Sequence, residues 1–543
     1  MYYLVLTTDD WDNDINTIAT AVPERPDVWG FSSERTQVSP CAATPFILSS
    51  DIGRQRVLTH SRHHRPHGLA KCYDNLLPHT VLLRHLNIKQ IANMIPEFCV
   101  FYGVLTFSWI EFLWEQYLTL RQRRVYKTTD KIPERLTDVL DVETFKKSKS
   151  YGIDNNSFNI AEEWFNMIIS TGFICLNGFT LLWNFSKYCL VETRYSDSEI
   201  MTSCVFLLCM NTLGTLMSLP ISLYSTFIIE EKHGFNKQTL NFFVKDKVKN
   251  FLLVQVISLP ITAAAITIVK WGGRYFFIWL WVFAVVTSLF IMTIYPEFIA
   301  PLFDKYTPLP DGVLKTKIEE LAKQVKFPLY KIYIVEGSKR SAHSNAYFYG
   351  IFNNKRIVLY DTLLKDSNNI MNNRTVIEEN ALGDKIEDKG KGMNDEEILA
   401  VLGHELGHWK LNHIVFYLTI AQVNLFVMLF VFGWLYDNSM LYRAFGFYES
   451  AHPVIIGLAI IFQYVFSPYN TVISFAMTTL SRQLEFQADA FAKKLGFAKP
   501  LESGLIRLHN DNLGFPVYDS LYSAWHHTHP QLLERLEAIS KTD

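Results

Sequence analysis

The 543-residue sequence has few cysteines and almost no net charge. Its seven cysteines are scattered between Cys41 and Cys209, so we expect neither a disulfide framework nor a cysteine metal cluster. The formal net charge of −2 gives no overall basic field, so no nucleic-acid partner is expected. The opening residues also lack the basic start and apolar core of a secretory signal, so the first long apolar segment is the expected insertion signal.

Long apolar segments dominate what the sequence does contain. Hydrophobic residues make up 49% of the chain and aromatic residues 14%, which indicates a membrane protein embedded in a lipid bilayer. The first segment contains Glu111 and Glu115, which would be costly against lipid, so we expect both acids to face protein or water. Seven segments approach or exceed the length of a transmembrane helix, namely 98–118, 165–185, 203–229, 251–269, 275–294, 414–436 and 454–477.

The combined lysine and arginine content alternates between high and low in the connections between these seven segments. The connection after the first segment is rich in both residues and that after the third is rich in lysine, whereas those after the second, fourth and sixth carry few of either. The positive-inside rule therefore predicts cytosolic first, third and fifth connections. The amino terminus is then lumenal, and the carboxyl terminus is cytosolic.

These features divide the chain into five predicted parts. Residues 1–93 are polar and aperiodic, and we expect a disordered extension, with Met94 as an alternative start. Its His-rich stretch at 59–68 is of a composition that binds metals weakly. The other parts are the first five spans (94–299), a cytosolic region (300–413) with a mobile loop (365–393), the last two spans (414–477) and a cytosolic tail (478–543).

The stretch LAVLGHELGHWKLNH contains two histidines four residues apart, His404 and His408, with Glu405 after the first. Apolar spacing predicts a helix that Asn394 or Asp395 caps, so both rings can reach one zinc ion. With 16 histidines in the chain, chance would give this pattern in roughly two of a hundred such sequences. The alternative is a buried helix with two hydrogen-bonded histidines and a surface glutamate.

Two glycines, Gly403 and Gly407, lie within this predicted helix. Each costs about 1 kcal/mol relative to alanine in a helix interior. We therefore expect another element to pack closely against the helix at these positions.

A third zinc ligand is predicted after the seventh segment, in SRQLEFQADAFAKKLG, where Glu485 and Asp489 lie on one helical face. Two membrane crossings separate His408 from Glu485, so both lie on the same side in either orientation. Glu485 is the predicted third ligand, and Asp489 the predicted hydrogen-bond partner of a ligating histidine, His404. The alternative is an amphipathic helix with solvated acids.

Three segments before the zinc motif alternate like β-strands, at 331–337, 345–352 and 355–361. Asn353 and Asn354 suit a hairpin turn between the last two. A small sheet of this kind offers an exposed edge to which an extended peptide can add, which favours a peptide substrate.

A collinear set of motifs resembles the integral-membrane zinc CaaX prenyl proteases, including the animal members that process prelamin A. The resemblance covers roughly residues 107–539. The motifs are RQRRVYKTTDKIP from Arg121, IIEEKHGFNKQT from Ile228, APLFDKYTPLP from Ala300, VEGSKRSAHSNAYFYG from Val335, VLGHELGHWK from Val401, FSPYN from Phe466, SRQLEFQADAFAKKLG from Ser481, DNLGFP from Asp511 and HPQLLERL from His529.

This resemblance implies an α-helical polytopic membrane protein. Seven transmembrane helices would enclose a chamber, capped by a cytosolic gluzincin-type zinc protease domain with the small β-sheet. The implied substrate ends in a farnesylated cysteine and three further residues, and the resemblance to the members that process prelamin A suggests a second, upstream cleavage. The implied location is the endoplasmic reticulum membrane, the inner nuclear membrane or both.

The resemblance also implies roles for individual residues. One Zn²⁺ ion would be held by His404, His408 and Glu485, and Glu405 would be the general base. His529 would stabilise the transition state, and Asn345 would lie on the strand that borders the substrate.

Two other functions fit parts of the sequence. A broad-specificity membrane quality-control zinc protease would keep the chemistry without requiring a prenyl group. A transporter or scaffold with structural zinc would explain seven spans, but it would leave Glu405 without a role, and structural sites usually have four protein ligands. Five polar span residues either line an aqueous interior or bond between helices, namely Asn177, Asn211, Gln422, Asn424 and Gln463.

Overall fold

The protein is described from a computed structural model covering residues 88–350, 354–365, 392–448 and 452–541. The predicted extension at 1–93 and the predicted loop at 365–393 lie almost entirely outside these residues. The helices, in chain order, are α1 (Ile88–Thr128), α2 (Val142–Cys175), α3 (Gly178–Leu190), α4 (Glu199–Tyr224), α5 (Leu240–Trp271), α6 (Phe276–Ile294), α7 (Val313–Val325), α8 (Asp395–Lys410), α9 (His413–Leu435), α10 (Ser439–Ala444), α11 (Val454–Ile460), α12 (Ser467–Ala492), α13 (Ala498–Asp511), α14 (Ser520–His526) and α15 (Leu532–Ser540).

Each predicted span coincides, to within a few residues, with one long helix or one bent pair of helices. Among the described residues, five helices are long and apolar enough to cross a membrane, and up to seven spans result if each bent pair counts as one. The α2–α3 pair bends by 67°, and the pair that joins α11 to α12 bends by 58°. Asn177 lies at the first bend with φ of 54°, a left-handed conformation that asparagine adopts more readily than most residues.

The two acids of the first span are buried against protein. Glu111 accepts hydrogen bonds from Thr471 and, at 3.0 Å, from Ser467 Oγ, both on α12. Glu115 accepts a hydrogen bond from Trp525 Nε1 at 2.8 Å. The prediction that these acids avoid lipid is therefore confirmed.

Two of the five polar span residues hydrogen-bond between helices. Asn211 Nδ2 donates to Gln255 Oε1 at 3.0 Å, which joins α4 to α5. Asn424 Oδ1 accepts from the Tyr469 hydroxyl at 2.7 Å, which joins α9 to α12. For these two residues the structure favours helix association over the lining of an aqueous interior.

The sheet has four strands in the order β1-β2-β4-β3. Strands β1 and β2 are antiparallel, β2 and β4 parallel, and β4 and β3 antiparallel. All three predicted strands are present, and β1 is an addition. The turn predicted at Asn353 begins outside the described residues. The strands are β1 (Tyr306–Pro308), β2 (Leu329–Val335), β3 (Ala346–Tyr349) and β4 (Lys355–Tyr360).

Alternating strand residues place the sheet against the zinc-motif helix. Ile332, Ile357 and Leu359 belong to a buried cluster that also contains apolar residues of α7 and α8. Because β3 is at the end of the strand order and also contacts α8, one edge of the sheet lies beside this helix.

Helix α8 begins with the predicted cap. The Asn394 side chain accepts from Glu397 N at 3.0 Å, and the Glu397 side chain accepts from Asn394 N at 2.9 Å. This reciprocal pair satisfies two amide groups that a helix start leaves without intrahelical partners. Asn394, rather than Asp395, is therefore the capping residue.

The two glycines of α8 are positions of close packing, as predicted. A Cβ atom on Gly407 would lie 3.1 Å from Phe491 Cδ1 and 3.3 Å from Ala488 Cα, both on α12. One on Gly403 would lie 3.3 Å from Phe497 Cδ2. The absence of side chains lets α12 approach α8, and this approach brings the two halves of the predicted metal site together.

Candidate metal centre

The close contact of α8 and α12 brings three potential ligand atoms together. His404 and His408 come from α8, Glu485 comes from α12, and all three are buried. His404 Nε2 and His408 Nε2 are 3.1 Å apart. Glu485 Oε1 is 3.1 Å from His408 Nε2, and Glu485 Oε2 is 3.4 Å from His404 Nε2.

These separations fit a tetrahedral zinc ion. Bonds of about 2.0–2.1 Å at tetrahedral angles place two ligand atoms about 3.3 Å apart. The buried Glu485 Oε2 makes no hydrogen bond of normal geometry with any described residue. Its nearest cationic groups are His404 Nε2 at 3.4 Å and Arg535 Nη1 at 3.7 Å. Because a buried carboxylate oxygen without a hydrogen bond is costly, this atom is suited to a cation.

The second ring nitrogen of His404 is held by Asp489. His404 Nδ1 is 2.8 Å from Asp489 Oδ1, the pairing that the sequence predicted. Arg535 in turn donates to Asp489 Oδ2 through Nε at 2.9 Å and to Oδ1 through Nη2 at 2.7 Å. This arrangement fixes the orientation of the ring and presents its Nε2 towards His408 and Glu485.

The second ring nitrogen of His408 faces His413, the first residue of α9. The two Nδ1 atoms are 3.0 Å apart, and His413 Nε2 is 3.3 Å from Gln487 Oε1 on α12. Both histidines of the motif therefore have a ring nitrogen partner outside the metal position. Sequence reasoning gave His413 no role, although it ends the quoted motif stretch.

In the metal-free centre, two neighbouring carboxylates favour protonation of His404. Burial lowers the pKa of His404, but the carboxylates of Glu485 and Asp489 outweigh it and raise the pKa to about 10. The same field that favours an imidazolium favours a divalent cation. A metal ion that binds here must displace that proton, because a coordinating histidine is neutral.

Arg535 is a functional residue that sequence reasoning missed. Burial lowers its pKa, but Asp489 and Glu485 raise it further, so the guanidinium stays charged. The signal was an arginine on the buried face of α15, which it shares with Leu532 and Leu536. A charged residue on an apolar helical face indicates a buried ionic partner.

Glu405 lies on α8 between the two histidines and is half-buried, in contrast to both of them. Its charge also contributes to the raised pKa of Arg535, which places it near the buried ionic network. A carboxylate with partial solvent access beside a metal position can exchange protons with water.

His529 and Asn345 lie at two different borders of the centre. His529 is buried, with Nε2 3.4 Å from Glu485 Oε1 and Nδ1 3.1 Å from the Thr528 hydroxyl. Asn345 immediately precedes β3 rather than lying within it. Its carbonyl oxygen accepts a hydrogen bond from Tyr360 N at 3.1 Å, which extends the pairing with β4 by one residue.

Comparisons with known proteins give a consistent result. The family model described as "CAAX prenyl protease N-terminal, five membrane helices" matches residues 122–305, and "Peptidase family M48" matches residues 308–543. CAAX prenyl protease 1 homolog of Mus musculus is 52% identical over 454 residues, which cover 81% of this chain and 95% of that protein. The Homo sapiens homolog is 52% identical over 467 residues, which cover 83% and 98% respectively.

A solved structure has the same overall fold. The crystal structure of S. mikatae Ste24p aligns with a TM-score of 0.72 at 37% sequence identity. The alignment covers 82% of this chain and 99% of that one.

Proposed function

This chain belongs to the CAAX prenyl protease family of M48 metallopeptidases, and we propose that it removes the carboxyl-terminal tripeptide from proteins carrying a farnesylated CaaX cysteine. It is a multi-pass membrane protease. Members of the family act on prenylated proteins, and the extent of the match to the mouse and human homologs supports this substrate class over an unprenylated one.

The observation that carries the proposal is the spacing of His404, His408 and Glu485. Three ligand atoms 3.1–3.4 Å apart support one tetrahedral Zn²⁺ with a fourth position for water or substrate. A transporter or scaffold with structural zinc has less support, since such a site normally has a fourth protein ligand. It also gives no reason for a half-buried Glu405 beside the metal position.

The proposed mechanism assigns proton transfer to Glu405. Zinc, when bound, supplies Lewis acidity that polarises the scissile carbonyl and lowers the pKa of water to about 7. Glu405 accepts the proton of the attacking water and passes it to the leaving amine, so that one carboxylate acts as base and then as acid. Partial exposure of Glu405 supports this role, because its carboxylate must reach solvent and substrate.

His529 is the proposed donor to the oxyanion that develops on the attacked carbonyl. Its Nε2 lies 3.4 Å from Glu485 Oε1, so its ring is next to the candidate metal centre, which supports this role. A donor in this position is worth about 3–4 kcal/mol of transition-state stabilisation in comparable sites. Arg535 and Asp489 keep the zinc ligand His404 oriented and do not themselves exchange protons in this scheme.

The proposed peptide-binding edge is β3. Among the described strands, β3 pairs only with β4, so its other side has backbone groups that an extended substrate can use. Asn345, at the start of this edge, is proposed to lie beside the bound substrate. The farnesyl chain would occupy a chamber enclosed by the membrane helices.

We also propose a location in the endoplasmic reticulum membrane, the inner nuclear membrane or both. The metal centre would face the cytosol or nucleoplasm, and the amino terminus the lumen. The alternating Lys and Arg content of the connections supports this orientation. Glycosylation acceptors introduced into the connections after α1 and α3 test it, because only the lumenal one should be modified.

Cleavage of defined peptides tests the proposed activity. Purified protein is incubated with a farnesylated CaaX peptide and with the same peptide lacking the farnesyl group, each with and without a metal chelator. Release of the tripeptide from the farnesylated peptide alone, abolished by chelator and restored by zinc, supports the proposal. Equal cleavage of both peptides would instead support a broad-specificity quality-control protease. A longer prelamin-type peptide reports whether a second upstream cut occurs.

A further inference from the structure

Helix α14 ends three residues before His529 and is fastened at both ends to the first membrane helix, α1. Asp519 caps its start by accepting from Leu521 N and Tyr522 N, each at 3.1 Å. Arg121 of α1 donates to both carboxylate oxygens of Asp519 at 2.9 Å, and Gln122 Oε1 accepts from Asp519 N at 2.8 Å. The start of α14 is therefore held by a paired ionic contact.

The end of α14 is held by Glu115, which also lies on the first membrane helix, α1. Trp525 Nε1 donates to Glu115 Oε1 at 2.8 Å, and His526 Nε2 lies 3.3 Å from Glu115 Oε2. Both carboxylate oxygens thus contact the last two residues of α14. The Trp525 ring also stacks on Phe475 of α12, with centroids 5.2 Å apart.

From Glu115 the connection to the metal centre is short. His527 Nδ1 lies 3.1 Å from the Ser523 hydroxyl within the same turn, and the Thr528 hydroxyl lies 3.1 Å from His529 Nδ1. His529 Nε2 then reaches to 3.4 Å from Glu485 Oε1. His526, His527 and Thr528 are all buried, so the chain between the end of α14 and His529 is enclosed by protein along its whole length.

We propose that Glu115 is a positioning residue, which sets the location of His529 by holding Trp525 and His526. An acid within a membrane helix is costly, and a structural contact alone is made more cheaply by an uncharged side chain. The carboxylate accepts a hydrogen bond from Trp525 Nε1 through one oxygen and lies 3.3 Å from His526 Nε2 through the other, so its two oxygens face the last two residues of α14. This inference rests on the proposed oxyanion role of His529.

The kinetic test combines Glu115→Ala with His529→Ala. Glu115→Ala is expected to lower kcat for the farnesylated peptide about 10- to 100-fold, since a misplacement of about 1 Å has effects of this size. KM and bound zinc should change little, because the zinc ligands lie on α8 and α12. Glu115→Gln keeps an acceptor for Trp525 and should recover part of the rate. In the His529→Ala background, measured by its residual turnover, Glu115→Ala should have no further effect.

Asn156→Ala is the matched control. Asn156 Nδ2 donates to Thr119 O of α1 at 3.1 Å, so this variant also removes a buried hydrogen bond to the first span, but on the side of α2. It should leave kcat unchanged. An equal loss from Glu115→Ala with and without His529, or no loss at all, would overturn the proposal.

Hydrogen exchange of the purified protein supplies a test that does not depend on activity. In Glu115→Ala, amides of residues 520–529 should exchange faster than in the wild type, while those of α8 should be unchanged. Unchanged exchange at 520–529 would overturn the proposed positioning even if the enzyme is active. If the wild-type protein fails to cleave the peptide, the proposed function is wrong, and exchange alone decides whether Glu115 holds this segment.

Discussion

Acidification is expected to weaken zinc binding by a predictable amount. In the metal-free centre, burial lowers the pKa of His404, but Glu485 and Asp489 raise it more, to about 10. Below that pKa the ring carries a proton in the folded, metal-free protein, and zinc must displace it. At pH 7, removing a proton from a group with a pKa of about 10 costs about 4 kcal/mol, a factor of about 10³ in the apparent Kd. The affinity should therefore rise about tenfold for each pH unit through the neutral range.

Competition with a chromophoric chelator measures this dependence. Metal-free protein is titrated with zinc at about pH 6, 7 and 8, with the chelator's own protonation taken into account. Calorimetry in two buffers of different ionisation enthalpy should detect at least about one proton released per zinc at neutral pH. Asp489→Asn is the matched variant: it removes one of the carboxylates that raise the pKa of His404, so less proton release is expected. A Kd that is independent of pH across this range would refute the reasoning.

Three further predictions concern single residues. Glu405→Gln should retain zinc but lose about 10²- to 10⁴-fold in peptide cleavage, and an active, zinc-loaded variant would contradict its role as base. His413→Ala removes the partner of His408 Nδ1 and should weaken zinc binding about 10- to 100-fold in the chelator assay, so an unchanged Kd would show that this contact is dispensable. Gly407→Ala places a Cβ atom 3.1 Å from Phe491 and should lower stability by about 1–3 kcal/mol, seen as a lower thermal midpoint. Gly103→Ala, where a Cβ atom meets nothing within 4 Å, is its control and should not lower that midpoint.

Local patterns and the count of membrane crossings were enough to predict that His404, His408 and Glu485 lie together as a candidate metal site. His404 and His408 share a helical face by spacing alone, and an even number of crossings returns Glu485 to their side of the membrane. The pairing of Asp489 with His404 also followed, since Asp489 lies one helical turn beyond Glu485. These inferences use only the helical spacing of residues and the even number of membrane crossings between them, and both can be read directly from a sequence.

Other contacts depend on the three-dimensional path of the chain and were not predictable. His413 reaches His408 only because the chain turns sharply at Asn412, which has φ of 58°. Arg535 reaches Asp489 because α15 packs against α12, and no local pattern specifies that packing. Strand β1 is only three residues long, too short for alternation to be recognised, and it exists because β2 offers an edge for pairing.

The division of the metal centre between α8 and α12 has a consequence for biosynthesis. When a ribosome has produced the chain as far as α8, the two histidines have been made, but the glutamate that completes the centre has not. Two imidazoles without a carboxylate would hold a metal ion more weakly, so a chain that ends before the last hydrophobic segment should bind zinc poorly and lack peptidase activity.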